Sequence, residues 1–346
     1  MEGVTRIIMG LSIVFVATSA ILYTLPNDTN PLDDISWLGF SDEKNNKLLI
    51  ATHTKITLWD TNNGTLLRSK DLGSTITEFD ISPDNILSIG TKDGRILFMG
   101  AETLEIFDTY FLSSGVSTID WSINSSRFAA GLEDGTIIVW DDDVEVLNVS
   151  FAEEWINGVS ISPDGNTIAI CYESFGLLVL NVSDPYTFLL HIPDEATDCA
   201  FSPFKDLAVA YSEGQVVVYN IETQATYSLG EIDDANNIVG WSSDGSRLFA
   251  SGGTQALKIW SMPDGTLVQD QTFKRSYVSH MVVGDGKVVV ATYRYVYLYN
   301  LNGKSIFDFP PKPEAPLLLP ISIIGAVALI ILIIMSELSI VKDINS

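Results

Sequence analysis

Residues 116–150 read VSTIDWSINSSRFAAGLEDGTIIVWDDDVEVLNVS, and this stretch decides the fold. Its first six residues alternate in character and break at the polar run 122–126. A short apolar segment follows at 127–131, then Glu133-Asp134-Gly135, where Asp-Gly signals a tight hairpin turn with positive φ at its centre. Residues 136–140, Thr-Ile-Ile-Val-Trp, are β-branched and end in an aromatic. Asp141, Asp142 and Asp143 turn the chain once more, into an outer segment at 144–150. Four short strands joined by three turns are expected, all antiparallel.

The aromatic ending recurs along the chain. Trp59-Asp60, Phe98-Met99, Trp140-Asp141, Leu180-Asn181, Tyr219-Asn220, Trp260-Ser261 and Tyr299-Asn300 follow one another at gaps of 39, 42, 40, 39, 41 and 39 residues. A period near forty marks four-stranded blades rather than stacked helix pairs. The turns keep the same frame. After the first strand come Ser82-Pro83-Asp84, Ser162-Pro163-Asp164-Gly165, Ser202-Pro203-Phe204 and Ser243-Asp244-Gly245. Proline presets φ for such a turn, and Asp and Gly suit the following positions. The expected fold is all-β: a seven-bladed β-propeller of four-stranded antiparallel blades over residues 26–309. Its blades are expected to form in chain order, with no strand exchanged to close the ring.

These residues resemble the WD-repeat β-propeller family. The resemblance rests on Lys55-Ile-Thr-Leu-Trp-Asp60, Asp134-Gly-Thr-Ile-Ile-Val-Trp-Asp141, Ser162-Pro-Asp-Gly165 and their counterparts, and it covers roughly residues 33–309. It is a divergent member's pattern, because no repeat carries the family's Gly-His pair and the chain has three histidines in all: His53, His191 and His280. The resemblance implies a platform for protein partners rather than an enzyme, and with the histidine network missing it places stability on apolar packing between blades.

Two apolar segments flank the repeats. Residues 7–25 hold no charge, follow Arg6, and offer small residues for cleavage after Ala20, so 1–25 reads as a signal peptide or signal anchor. Residues 317–335, LLLPISIIGAVALIILIIM, read as a transmembrane helix. They follow a proline-rich linker at 310–316 and precede a short cytoplasmic tail at 336–346. With either fate of the N-terminus the propeller is expected outside the cytoplasm, at the cell membrane. Sequons at Asn27, Asn63, Asn124, Asn148 and Asn181 fit that placement. Four strands per blade bring the chain in and out on one face, so that face is expected to look toward the membrane.

The net charge of −25 comes from 44 acidic and 19 basic side chains. Such a surface repels phosphates and argues against a nucleic-acid partner. Loops assigned to the membrane-side face are acidic in blades three to six: Glu133, Asp134, Glu153, Glu154, Glu173, Asp194, Glu195, Asp198, Glu213, Glu231, Asp233 and Asp234. The seventh blade sets Lys274, Arg275 and Arg294 on the same face. An acidic arc beside a basic blade makes a candidate docking surface for a membrane or surface protein, with Trp155 and Tyr277 as candidate aromatic anchors.

No catalytic, cofactor or metal constellation stands out, and no cofactor is expected. The histidines fall in different blades, and Asp141–Asp143 and Asp233-Asp234 lack the spaced ligands of a calcium loop. Cys171 and Cys199 fall on strands of neighbouring blades and read as buried small hydrophobes, with one bridge as the alternative. Two enzymatic alternatives stay open. Residues 59–66, WDTNNGTL, resemble the repeat of quinone-cofactor dehydrogenases, whose ring is eight-fold; a metal-dependent hydrolase-like propeller would need carboxylates around a metal in its channel. The sequence names no small-molecule ligand.

Overall fold

The third repeat folds as its residues dictate. Strands run Val116–Trp121, Arg127–Leu132, Thr136–Asp141 and Val144–Ser150, each antiparallel to the next. The structure, a computed structural model, describes residues 35–309 apart from 42–45, 124–125, 233–236, 253–255, 273–277, 285–286, 293–295 and 301–304. The chain divides into two compact units, Met1–Pro310 and Pro311–Ser346. The second lies wholly outside the described residues, as do the leader at 1–25, the linker at 310–316, the apolar segment at 317–335 and the tail. Among the described residues no helix is long and apolar enough to cross a membrane.

The described residues form seven four-stranded sheets, each built from four strands consecutive in the chain. The innermost strands are Ile35–Phe40, Ile76–Ile81, Val116–Trp121, Ile156–Ile161, Ala196–Phe201, Ile238–Trp241 and Val278–Gly284. Each adjoins the innermost strand of the next blade, and the seventh adjoins the first. The ring therefore closes in chain order without strand exchange.

Every junction between blades carries its own apolar cluster. Large repeat endings anchor five of these clusters: Trp59 packs between blades one and seven, Phe98 and Trp140 between two and three, Leu180 between three and four, Tyr219 between four and five, and Trp260 between five and six. At the second junction Phe128 stacks on Trp140 with centroids 4.6 Å apart. The outer strands instead expose apolar side chains just after their turns, among them Leu66, Phe107, Val144, Tyr186 and Val268.

Two local features correct the sequence reading. The turns between second and third strands were expected to need positive φ at both central positions, but only the glycine adopts it: Gly94 at 80°, Gly135 at 82° and Gly214 at 94°. These are three-residue loops with one left-handed glycine, the second common hairpin form. A serine ladder also stabilises the turns after the innermost strands. The hydroxyls of Ser82, Ser162, Ser202 and Ser242 accept hydrogen bonds from the backbone N–H of Ile86, Thr167, Asp206 and Arg247, each at 3.0 Å.

Candidate functional site

Most innermost strands begin with an apolar residue, then a small polar one. The polar residues are Ser36, Thr77, Ser117, Asn157, Thr197 and Ser279, and at each the pairing with the second strand slips by one. Such bulges re-aim the side chains that follow them. The positions after the bulges, at two levels along the strands, line a central cavity of about 820 Å³. All seven innermost strands contribute to it, and its mouth lies on the face carrying the loops between blades, where Trp155, Glu173 and Glu195 stand.

The two levels bring Glu78, Asp80, Asp120 and Asp198 into this cavity. Each carboxylate reaches across to the next blade's innermost strand. Glu78 accepts from the N–H of Ile119 at 3.0 Å, Asp80 from Trp121 at 2.7 Å, Asp120 from Ile161 at 2.6 Å and Asp198 from Val239 at 3.0 Å. Ser160 continues the pattern, accepting from Phe201 at 3.1 Å. The expectation that stability rests on apolar packing alone is thus incomplete, since carboxylates and a hydroxyl also join the blades.

These four carboxyls are half-buried, since they touch the cavity, but the ring surrounds them. Burial pushes all four upward, Asp80 to about 6 and Asp198 to about 7, and their mutual repulsion adds to the rise of Glu78 and Asp120. His280 stands on the same wall with its ring centroid 4.0 Å from that of Trp37. Burial holds its pKa down to about 3, so the imidazole is neutral and supplies no counter-charge. Among the described residues lining the cavity there is no Lys or Arg.

The residues singled out from sequence divide three ways. Trp155 is 41% exposed and stands with Glu195 at the cavity mouth. Glu153 and Asp194 are exposed on neighbouring loops, whereas Glu154 accepts the N–H groups of Ser174 and Phe175, both at 3.0 Å, and so holds a turn. Lys274, Arg275, Tyr277, Arg294, Asp233 and Asp234 lie outside the described residues. Asp198, assigned to a loop from sequence, belongs instead to the innermost strand of blade five. Of the histidines His280 reaches the channel, while His53 hydrogen-bonds Thr75 and His191 stacks on Phe175. Both cysteines are buried and free, and their thiols touch across the junction of blades four and five.

Residues 103–141 match the WD domain, G-beta repeat. The matched unit takes the outer strand Ile106–Phe111 of the second blade and the first three strands of the third. Sequence repeat and structural blade are therefore out of phase by one strand. Together with seven four-stranded blades, the match supports a WD-repeat propeller. Propellers of this kind commonly serve as protein-interaction scaffolds and are typically not enzymes. The seven-fold count also differs from the eight-fold ring of the quinone-dependent alternative. The channel does carry the carboxylates that a hydrolase-like propeller would need, but among the described residues no three His, Cys, Asp or Glu side chains come together to hold a metal ion.

The channel carboxylates escaped the sequence reading although their signal is present. Asp80 and Asp120 stand forty residues apart at matching positions of Ile-Thr-Glu-Phe-Asp-Ile and Val-Ser-Thr-Ile-Asp-Trp, inside otherwise apolar strands. An acid repeated inside a strand, and not in a turn, marks the lumen of a ring.

Proposed function

We propose that this chain is a membrane-anchored propeller, displayed outside the cytoplasm, that binds protein partners as an assembly scaffold. The observation that carries the reading is the closed seven-bladed ring with its WD-type repeat, whose loop face sets Trp155 and Glu195 at the mouth of an open cavity, with Glu153 and Asp194 exposed on the same loops. The anchor is the charge-free segment at 317–335, and the leader at 1–25, as signal peptide or signal anchor, would carry the propeller across the membrane. Chain entry and exit on the loop face would turn that face toward the bilayer and a neighbouring membrane protein. By their place in the sequence, Lys274, Arg275 and Arg294 would complete a polarised surface with the acidic arc.

Crosslinking of the full-length chain in intact membranes, followed by identification of its neighbours, tests this reading. A reproducible protein neighbour is expected, and reversing the three basic charges is expected to weaken its capture. Cleavage of the propeller by protease added from outside intact cells checks the topology. Capture unchanged by charge reversal would remove the docking surface, and protection from external protease would remove the extracytoplasmic placement.

A further inference from the structure

We propose that the groove between blades two and three, on the face opposite the mouth of the central cavity, docks an arginine side chain of a partner protein. The inference goes beyond the docking surface proposed above and does not rest on it. The groove is bounded by the turns after the innermost strands, where Asp84 and Ser126 stand, by the turn holding Asp142 and Asp143, and by the outer strand Ile106–Phe111 of blade two. Its volume is about 190 Å³. Sites for whole small molecules start at roughly 300 Å³, so this groove suits one long side chain.

Two independent features of the lining point to this occupant. The first is aromatic. Phe98, Tyr110, Trp121 and Phe128 form the walls, with ring centroids 4.8 Å apart for Phe98 and Tyr110 and 4.7 Å apart for Trp121 and Phe128. Phe98 and Phe128 belong to the apolar cluster of this junction, which holds the walls in place. Phe107 stands at the lip, an apolar ring that the fold leaves uncovered, and Ile106 beside it is also exposed. Apolar surface therefore adjoins the groove and offers a chain flanking the arginine a place to lie. The second feature is charge. Asp84, Asp108, Asp142 and Asp143 line the groove and are exposed. Among the described residues none of the four forms an ion pair, and no Lys or Arg lines the groove. The Tyr110 hydroxyl donates to Asp143 at 3.2 Å. Burial, this bond and the charges of Asp143 and Asp108 push its pKa up to about 12, so the phenol stays neutral. A guanidinium matches both features, because its flat face stacks on aromatic rings while its N–H fork bonds carboxylates. An ammonium is a compact, strongly hydrated charge and gains less from the rings. An acidic segment would be repelled by the four carboxylates.

Photo-crosslinking of the full-length chain in detergent tests the proposal. The probes are blocked peptides that carry benzoylphenylalanine near a single arginine, citrulline or lysine. The arginine peptide is expected to label the segments around Phe107 and Asp143, as located by mass spectrometry of the digested chain. The lysine peptide should label them several-fold less, and the uncharged citrulline peptide should label neither. Phe107→Ser removes the ring at the lip. Asp142→Asn combined with Asp143→Asn removes two charges, keeps an acceptor for the Tyr110 hydroxyl, and suits the positive φ of 50° at Asp142. Each variant should cut labelling about 10-fold. The proposal is overturned if the arginine peptide labels only other segments or none, if citrulline or lysine labels equally, or if the folded variants are labelled undiminished. The citrulline comparison uses the unaltered chain, so it decides even if a variant does not fold. Labelling of the groove without any protein neighbour crosslinked in membranes would sink the scaffold reading and leave the arginine site standing. A neighbour in membranes without labelling of the groove would sink the groove alone.

Discussion

At the scale of single residues, the loops between second and third strands show how little freedom the ring allows. Gly135 has φ of 82°, and a Cβ built there would lie 1.8 Å from the carbonyl oxygen of Ala152. Its own carbonyl accepts the hydroxyl of Tyr172 from the next blade at 3.3 Å. Gly73 has a similar φ of 68°, but open space surrounds it. The two positions separate backbone strain from steric conflict. Gly73→Ala should cost about 1 kcal/mol, the left-handed penalty alone. Gly135→Ala should cost more than about 2 kcal/mol, because the loop must also move off its neighbour. Denaturant unfolding of both variants checks the difference, and equal costs would show that the neighbouring loop yields freely.

Elements explain which parts of the molecule the sequence disclosed. Third strands pack on both faces and end in a large side chain, so their run of apolar residues is legible and correctly spaced. Phe128, on a second strand, is 1% exposed and is stacked on Trp140, whereas Phe107, on an outer strand, is 62% exposed. Phe128→Ala should therefore cost about 3–5 kcal/mol, while Phe107→Ser should stay within about 0.5 kcal/mol. Thermal melts of the two variants check this contrast. Innermost strands were harder to read, since their role depends on what they face. Ile76-Thr-Glu-Phe-Asp-Ile81 fits a half-solvated strand equally well; nothing local says that Glu78 and Asp80 look into a shared cavity. Only the ring brings Asp120 and Asp198 to the same space. The loop residues at the mouth, Trp155 and Glu195, were found because exposed positions between blades can be placed from strand order alone. The bulges that re-aim the carboxyls leave only a faint trace, one small polar residue at each strand's start.

The whole ring gathers four carboxyls that burial holds above their usual range, and this makes its stability depend on pH with a definite sign. Folded Asp198 binds its proton up to about pH 7 and Asp80 up to about 6, whereas unfolded carboxyls release theirs near 4. The folded state thus holds more protons in that window, and the stability these groups contribute is fully present below about pH 4 and is lost as pH rises through 6 to 7. His280 acts in the opposite sense. With its pKa held down to about 3, the stability it contributes is present above about pH 6.5 and is lost as pH falls. Above pH 6.5 the carboxyls alone set the trend, so the melting temperature should fall between pH 6.5 and 8. Asp198→Asn isolates one group, because asparagine retains an acceptor for the Val239 amide and carries no charge. At pH 8 the variant should exceed the parent by about 1–3 kcal/mol, allowing for water in the cavity. Below about pH 4, where Asp198 is protonated in the folded and the unfolded chain alike, the two should melt together, and the offset should grow from there to pH 8. An offset that stayed constant between pH 5 and pH 8 would mean that Asp198 is not held in its neutral form by the ring.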